Sequence, residues 1–280
     1  MRSGEVRRQR RVDHRREQLV RLVQAEGTAG VADLAARLGC SVVTVRRDLA
    51  ALARDGSDWK RYHGAVAVRG LIIERGFQDK MGIAEAEKLA IAEVAVRLIP
   101  DGAVVGLNGG TTAARVAERL VAESRAVTVV TNAVNVALQL TNSGIPVVVV
   151  GGSLRPLNYE TTGPMALRTL QAMALDVAVI GADAVDKEFA CSAAADAEAE
   201  VGWQFSQAAE NVIVVADHLK FNRRATYRML AWEDVDILVT GREAEPAIAG
   251  ADWREVLAPM DASEAPAVAW RVVHDRERRS

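Results

Sequence analysis

Apolar positions in the first fifty residues recur at three- and four-residue steps. Val42, Val45, Leu49 and Leu52 fall on one side of a helix, which can therefore bury that side. Ser41 stands just before it, where a hydroxyl can accept from free backbone N–H groups. Upstream, Leu19, Leu22 and Val23 share a face within Arg15 to Ala25, and Leu34, Ala35 and Leu38 share one within Val31 to Leu38. Gly27 and Gly30 separate these two stretches, and Gly39-Cys40 turns into the third. Three short helices with a tight turn before the last predict a helix-turn-helix. The turn signal Asp55-Gly56-Ser57-Asp58 and the run Trp59 to Val66 then predict the two short strands of a wing.

From Glu85 the pattern changes. Amphipathic stretches at Glu85 to Leu98, Thr111 to Val121 and Ala133 to Leu140 alternate with apolar runs at Ala103 to Leu107, Val127 to Val130 and Pro146 to Val150. Further runs follow at Val177 to Ile180, Val212 to Ala216 and Asp236 to Val239. Unbroken valine and isoleucine between helices predicts an α/β body, its mainly parallel sheet covered on both faces. The expected organisation is a basic tail at 1–14, the helical head and wing at 15–68, a linker at 69–84, the body at 85–243 and a C-terminal tail at 244–280, where alanine, charge and proline accumulate.

Charge supports this division. Residues 1–75 hold 16 Lys and Arg against 9 Asp and Glu, whereas the remainder holds 19 against 28. A basic end joined to an acidic body fits a polyanion-binding module attached to something with another task. The seven arginines between Arg2 and Arg16 are equally readable as a solvated tail. Cys40 and Cys191 have neither a disulfide framework nor a metal-ligand spacing, and read as small buried hydrophobes of a reducing cytoplasm. The four histidines are scattered, no apolar run spans a bilayer, and the arginine-rich start precedes no signal-peptide core. A soluble cytoplasmic protein without metal or cofactor is expected.

Two places carry candidate chemistry. On the exposed side of the third helix, Val43, Thr44, Arg46 and Arg47 offer short groups and two guanidinium forks, as a helix entering the major groove of double-stranded DNA requires. Ser41 at the helix start, with Arg61 and His63 on the wing, adds candidate phosphate or minor-groove contacts. In the body, Asn108-Gly109-Gly110-Thr111-Thr112 joins a predicted strand to a predicted helix, so backbone N–H groups and two hydroxyls can surround an anion at the helix's positive end. It is neither a Walker motif nor a dinucleotide turn. Asn132, Gly152, Asp183 and Lys220 follow other strands and open onto the same sheet edge, where ligands of open α/β sheets bind.

With these residues set out, a resemblance becomes specific. Arg15-Arg16-Glu17-Gln18-Leu19, Val31-Ala32-Asp33-Leu34-Ala35, Ser41-Val42-Val43-Thr44-Val45-Arg46-Arg47-Asp48-Leu49 and His63-Gly64-Ala65 resemble the winged helix-turn-helix of DeoR-family bacterial transcriptional regulators. Gly109-Gly110-Thr111-Thr112, Val130-Thr131-Asn132, Gly151-Gly152, Gly163-Pro164 and Ala216-Asp217-His218-Leu219-Lys220-Phe221 resemble that family's sensor domain. The resemblance implies a body similar in fold to ribose-5-phosphate isomerase and glucosamine-6-phosphate deaminase. It also implies a repressor of carbohydrate genes, released from its operator by a phosphorylated sugar and working as a dimer or tetramer. Asn108 stands where members commonly have aspartate and Gly202 where they commonly have lysine; Val185 to Ala194 lacks the usual Gly-x-Thr, and the wing has one glycine fewer. Two alternatives remain open: an isomerase- or deaminase-type enzyme, and a DNA-binding protein whose body only oligomerises.

Overall fold

A computed structural model describes residues 12, 14–16, 18–19, 22, 28–52, 59–62, 65–68, 76–254, 256–260 and 265–273. The chain divides into two compact units, Met1–Ile73 and Glu74–Ser280.

In the first unit the described residues between 12 and 22 are helical, and the rest of the helix expected from Arg15 to Ala25 lies outside the described residues. Helices α1 (Val31–Arg37) and α2 (Val42–Leu52) follow. The bend between them comes from Gly39 at φ +59°, with the N–H of Cys40 bonded to the carbonyl of Ala35 and that of Gly39 to Ala36. That is a Schellman ending, and glycine reaches its left-handed conformation without a Cβ penalty. Leu19, Leu34, Ala35 and Val45 are buried and close the core. Three antiparallel strands, β1 (Thr28–Gly30), β2 (Trp59–Tyr62) and β3 (Ala65–Val68), pair in the order β1-β3-β2. The pattern predicted the last two and read Gly30 only as a break; Thr28–Gly30 instead pairs with Ala65 to Ala67.

The second unit starts inside the expected linker. Residues 69–75 lie outside the described residues, but helix α3 (Phe77–Met81) already packs on the body through buried Phe77. Helix α4 (Glu85–Arg97), strand β4 (Val104–Leu107), helix α5 (Thr111–Ala122), strand β5 (Thr128–Thr131), helix α6 (Val134–Leu140) and strand β6 (Val147–Val149) then alternate as predicted. A hairpin of β7 (Ser153–Arg155) and β8 (Glu160–Thr162) leads to helix α7 (Pro164–Gln171) and strand β9 (Leu175–Gly181). Strands β10 (Ala184–Asp186) and β11 (Ala190–Ala193), helix α8 (Asp196–Ala208), and strands β12 (Ala209–Ala216), β13 (Tyr227–Leu230) and β14 (Ile237–Gly241) follow. The expected tail at 244–280 is instead folded at its near end. Short helices α9 (Glu245–Ile248) and α10 (Ala251–Arg254) precede strands β15 (Leu257–Pro259) and β16 (Ala267–Val272).

The main sheet runs β15-β16-β14-β12-β9-β4-β5-β6. Its last six strands are parallel, while β16 pairs antiparallel with β14 and β15. Alternation within β9 shows how both faces are buried. Val177 and Val179 join the core beneath α4, α5 and α6, whereas Ala178 and Ile180 join the core containing Phe205 of α8, Leu170 of α7 and Leu230 of β13. Burying each such valine or isoleucine contributes about 1.5–3 kcal/mol, so the run is apolar at every position. The second core also takes in a small antiparallel sheet, β10-β11-β13, which short apolar segments did not announce.

Gly106 on β4 shows how tightly this layer closes. A Cβ there would lie 2.8 Å from Leu175 Cδ1 and 2.9 Å from Phe205 Cδ1. Gly106→Val should therefore lower the unfolding free energy by about 1–3 kcal/mol through overpacking. Combined with Phe205→Ala it should cost less than the sum of the two single changes, because the smaller side chain makes room. Urea denaturation of the four proteins measures both.

Candidate functional site

On α2 the capping expected of Ser41 is present. Its Oγ accepts the backbone N–H of Thr44 at 3.2 Å and lies 2.9 Å from Thr44 Oγ1. Val43 is 73% exposed, Thr44 is half-buried and Arg47 is exposed, while Val45 and Asp48 are buried on the opposite side. The side chains of Arg46 and Arg61, and His63 as a whole, lie outside the described residues. Asp48 was not singled out by the sequence pattern. Its carboxylate receives Arg15 Nε at 2.7 Å and Arg16 Nε at 3.3 Å, so these two arginines belong to the fold of the head and not to a solvated tail. The pair ties α2 to the helical stretch between residues 12 and 22 and leaves the Val43 and Arg47 side exposed.

In the body the carboxyl ends of β4, β5, β9 and β12 converge, and the strand-to-helix loop 108–112 lies among them. Gly110 caps α5 at φ +114°, and a Cβ there would meet nothing within 4 Å. The cradle is open at that residue, with Thr111 and Thr112 buried beside it. Other predicted site residues turn inward. Asn108 donates from Nδ2 to the Gly181 carbonyl at 3.0 Å and accepts the Gly181 N–H at 2.8 Å, so its amide clamps the ends of β4 and β9. An aspartate could accept but not donate there, which accounts for an amide at this position. Asn132 donates to the Thr161 carbonyl at 3.0 Å. Gly152 packs against β8, since a Cβ would lie 2.5 Å from the Thr162 carbonyl oxygen. Gly109 likewise faces Glu160, whose Oε1 would be 1.9 Å from an added Cβ.

The charged groups form a second layer, two of whose cations the pattern did not mark. Lys80 of α3 sets its Nζ 3.3 Å from Asp183 Oδ1, and Lys88 of α4 donates to the Lys80 carbonyl at 2.8 Å. Of five lysines against thirty arginines in the chain, Lys80, Lys88 and Lys220 gather here; rarity was the signal available. Burial pushes the Asp183 carboxyl up, but Lys80, Lys220 and the Ala194 N–H outweigh it and hold it below the ordinary value. Burial pulls the Lys80 ammonium down, and Asp183, Glu198 and Glu160 more than restore it. Lys220 and Lys88 stay below the ordinary lysine value because burial dominates. Glu87 accepts the His218 N–H at 2.7 Å and lies 2.6 Å from its Nδ1, and burial raises its carboxyl above the usual range. Arg155 lies 3.4 Å from Glu160 and 3.7 Å from Glu198.

Gly202 of α8 lies beneath β13, where a Cβ would be 2.2 Å from Met229 Sδ. Met229 therefore fills the space that any longer side chain at this position would need. Cys191 is buried as expected, while Cys40 is only half-buried. Among the described residues no group of three or more His, Cys, Asp or Glu could hold a metal ion, and no helix is long and apolar enough to cross a membrane.

The Lys80 and Asp183 pair should carry a stability signature. Because the Asp183 carboxyl is held low, its contribution is complete above the ordinary carboxylate pKa and is lost as pH falls through the lowered value. Lys80→Met should cost about 3–5 kcal/mol at neutral pH by removing the directly paired cation of a buried carboxylate. The deficit should shrink as the solution is acidified. Chemical denaturation of both proteins between neutral and acidic pH provides the comparison.

Known proteins agree with this architecture. The model of the DeoR-like helix-turn-helix domain matches residues 15–69, and that of the DeoR C terminal sensor domain matches residues 83–242. A chain of Escherichia coli O157:H7 named for transcriptional repression of the aga operon is 34% identical over 228 residues, covering 80% of this chain and 84% of its own. The glycerol-3-phosphate regulon repressor of Haemophilus influenzae is 30% identical, with 81% and 88% covered. The transcriptional repressor AccR of Agrobacterium fabrum is 31% identical, also with 81% and 88% covered. Among solved structures, ribose 5-phosphate isomerase A of Methanocaldococcus jannaschii aligns with a TM-score of 0.38 at 19% identity, over 69% of this chain and 81% of its own. The eIF2B delta chain of Chaetomium thermophilum aligns with 0.40 at 20%, over 56% and 58%; neither low likeness bears on what this chain does. Matched through both its head and its body, the chain belongs to the DeoR family of helix-turn-helix transcriptional regulators.

Proposed function

We propose that this regulator represses genes of carbohydrate metabolism by holding an operator, and that a phosphorylated sugar bound at the carboxyl edge of the body's sheet releases it. The observation carrying the effector reading is the open Gly110 cradle at the start of α5, on a sheet edge that also gathers Lys80, Lys88 and Lys220. Helix-terminal N–H groups and lysine ammonium groups suit a phosphate dianion. Asp183 and Asp217, both buried nearby, suit the hydroxyls of a sugar. The names of the relatives support the same reading, one of them being the repressor of a glycerol-3-phosphate regulon.

On the DNA side, the exposed Val43 and Arg47, the half-buried Thr44, and Arg46 are the contacts we assign to base edges and phosphates, and Ser41 holds the helix start near phosphate. Arg61 and His63 of the wing are assigned to the backbone or minor groove. A single head makes few contacts, so two heads of a homo-oligomer on symmetric half-sites would supply specificity. The effector releases DNA only if it binds one arrangement of the heads better than the other.

Arg46→Ala with Arg47→Ala should abolish specific operator binding while leaving the thermal midpoint unchanged, and wild-type affinity should fall steeply with salt. Retained binding, or a flat salt dependence, removes α2 from the role given to it. For the effector, thermal midpoints are measured against phosphorylated sugars and glycerol 3-phosphate, with the parent sugars and inorganic phosphate as controls. One phosphorylated compound should raise the midpoint where its parent does not. Gly110→Val should erase that shift, because it fills the cradle and forces a β-branched residue to φ +114°. No shift across the panel would leave a body that only oligomerises.

A further inference from the structure

The chain is 26% charged, yet from Ala126 to Leu154 it contains no Lys, Arg, Asp, Glu or His. Continuing to Leu167, the charged residues are Arg155 and Glu160, which lie 3.4 Å from each other. This uncharged segment forms one end of the main sheet: β5, α6, the edge strand β6, the hairpin and the start of α7. Its surface is apolar as well. Leu138, Val148, Val149, Leu154, Leu157 and Met165 are exposed, Leu138 to 67% and Met165 to 63%. Free edge strands in soluble proteins are ordinarily guarded by lysine, a bulge or a covering element, and an exposed apolar patch of this kind marks an interaction surface.

Among the described residues β6 pairs with β5 alone. The carbonyl of Pro146 and the N–H of Val150 bond to β5, so by strand alternation the N–H and C=O groups of Val147 and Val149 point away from the sheet. That edge is self-complementary. In an antiparallel arrangement about a two-fold axis through Val148, Val147 of one copy faces Val149 of the other, and each facing pair exchanges two hydrogen bonds. Charge selects the occupant. Residues 76–280 carry 19 Lys and Arg against 28 Asp and Glu, so two copies share a net negative charge and repel on average where charged surfaces meet. An uncharged edge lets them meet without that repulsion, and offers nothing to attract a polyanion or polycation.

We infer that the β6 edge is the contact through which two copies of the chain join their sheets across a two-fold axis. This fixes the location of the interface and is independent of which effector binds. The test uses the full chain. Across such an axis the two Val148 Cα atoms lie about 4.5 Å apart, within disulfide reach, so Val148→Cys should give a disulfide-linked dimer under mild oxidation. Wild type, with Cys40 and Cys191, and Trp203→Cys, at an exposed position of α8, should not. Val149→Lys should halve the mass found by sedimentation equilibrium while the far-UV circular dichroism is kept. A single-copy mass for wild type overturns the inference. So does Val148→Cys cross-linking no better than Trp203→Cys, and so does an unchanged mass for Val149→Lys.

Discussion

The pairing of β9 between β4 and β12 is the constraint from which the body follows. A strand in this position has neighbours on both sides and helices or a second sheet over both faces, so the only way it meets solvent is at its ends. Leu175 to Gly181 is apolar at nearly every position for that reason, and polar groups are displaced to the loops beyond the carboxyl ends. Asn108 then fastens the ends of β4 and β9 together through the Gly181 backbone. The loop carrying Gly110 starts from this clamp.

The six parallel strands and the helices packed beneath them were legible because their residues have one job each, and burial writes a regular pattern. The head was legible for the same reason. What escaped the pattern were the helices α7 and α8 and several elements too short to show a period. Thr28–Gly30, the β10-β11-β13 sheet and the two strands beyond residue 256 are three to six residues long, and alanine-rich stretches such as Ala190 to Ala199 read equally well as helix, strand or tail. Long-range pairing, which a local pattern does not contain, decided them.

The candidate site divides similarly. Glycines and polar residues after strands marked the carboxyl edge of the sheet, but not what each residue does there. Asn108, Asn132 and Gly152 serve backbone contacts, while Lys80 and Lys88 arrive from helices that looked like linker and surface. A lysine on an amphipathic helix carries no mark of its destination. Burial then makes the cluster consequential: Lys80 and Asp183 keep each other charged, whereas Lys88 and Lys220 are held below the ordinary lysine range. The cluster is thus a set of coupled charges taken largely out of solvent.

Asp48 changes what the Arg46-Arg47-Asp48 signature means. Its carboxylate is turned from solvent and occupied by Arg15 and Arg16, so this position is fixed by the internal architecture of the head. Val43, at the other extreme, faces solvent. The Asp48 part of the signature therefore encodes a scaffold, while under the proposed function Val43, Thr44, Arg46 and Arg47 meet the operator. Under that proposal, regulators that share Asp48 can answer to unrelated operators, and an operator is better sought from the exposed residues of α2 than from the match that identifies the family.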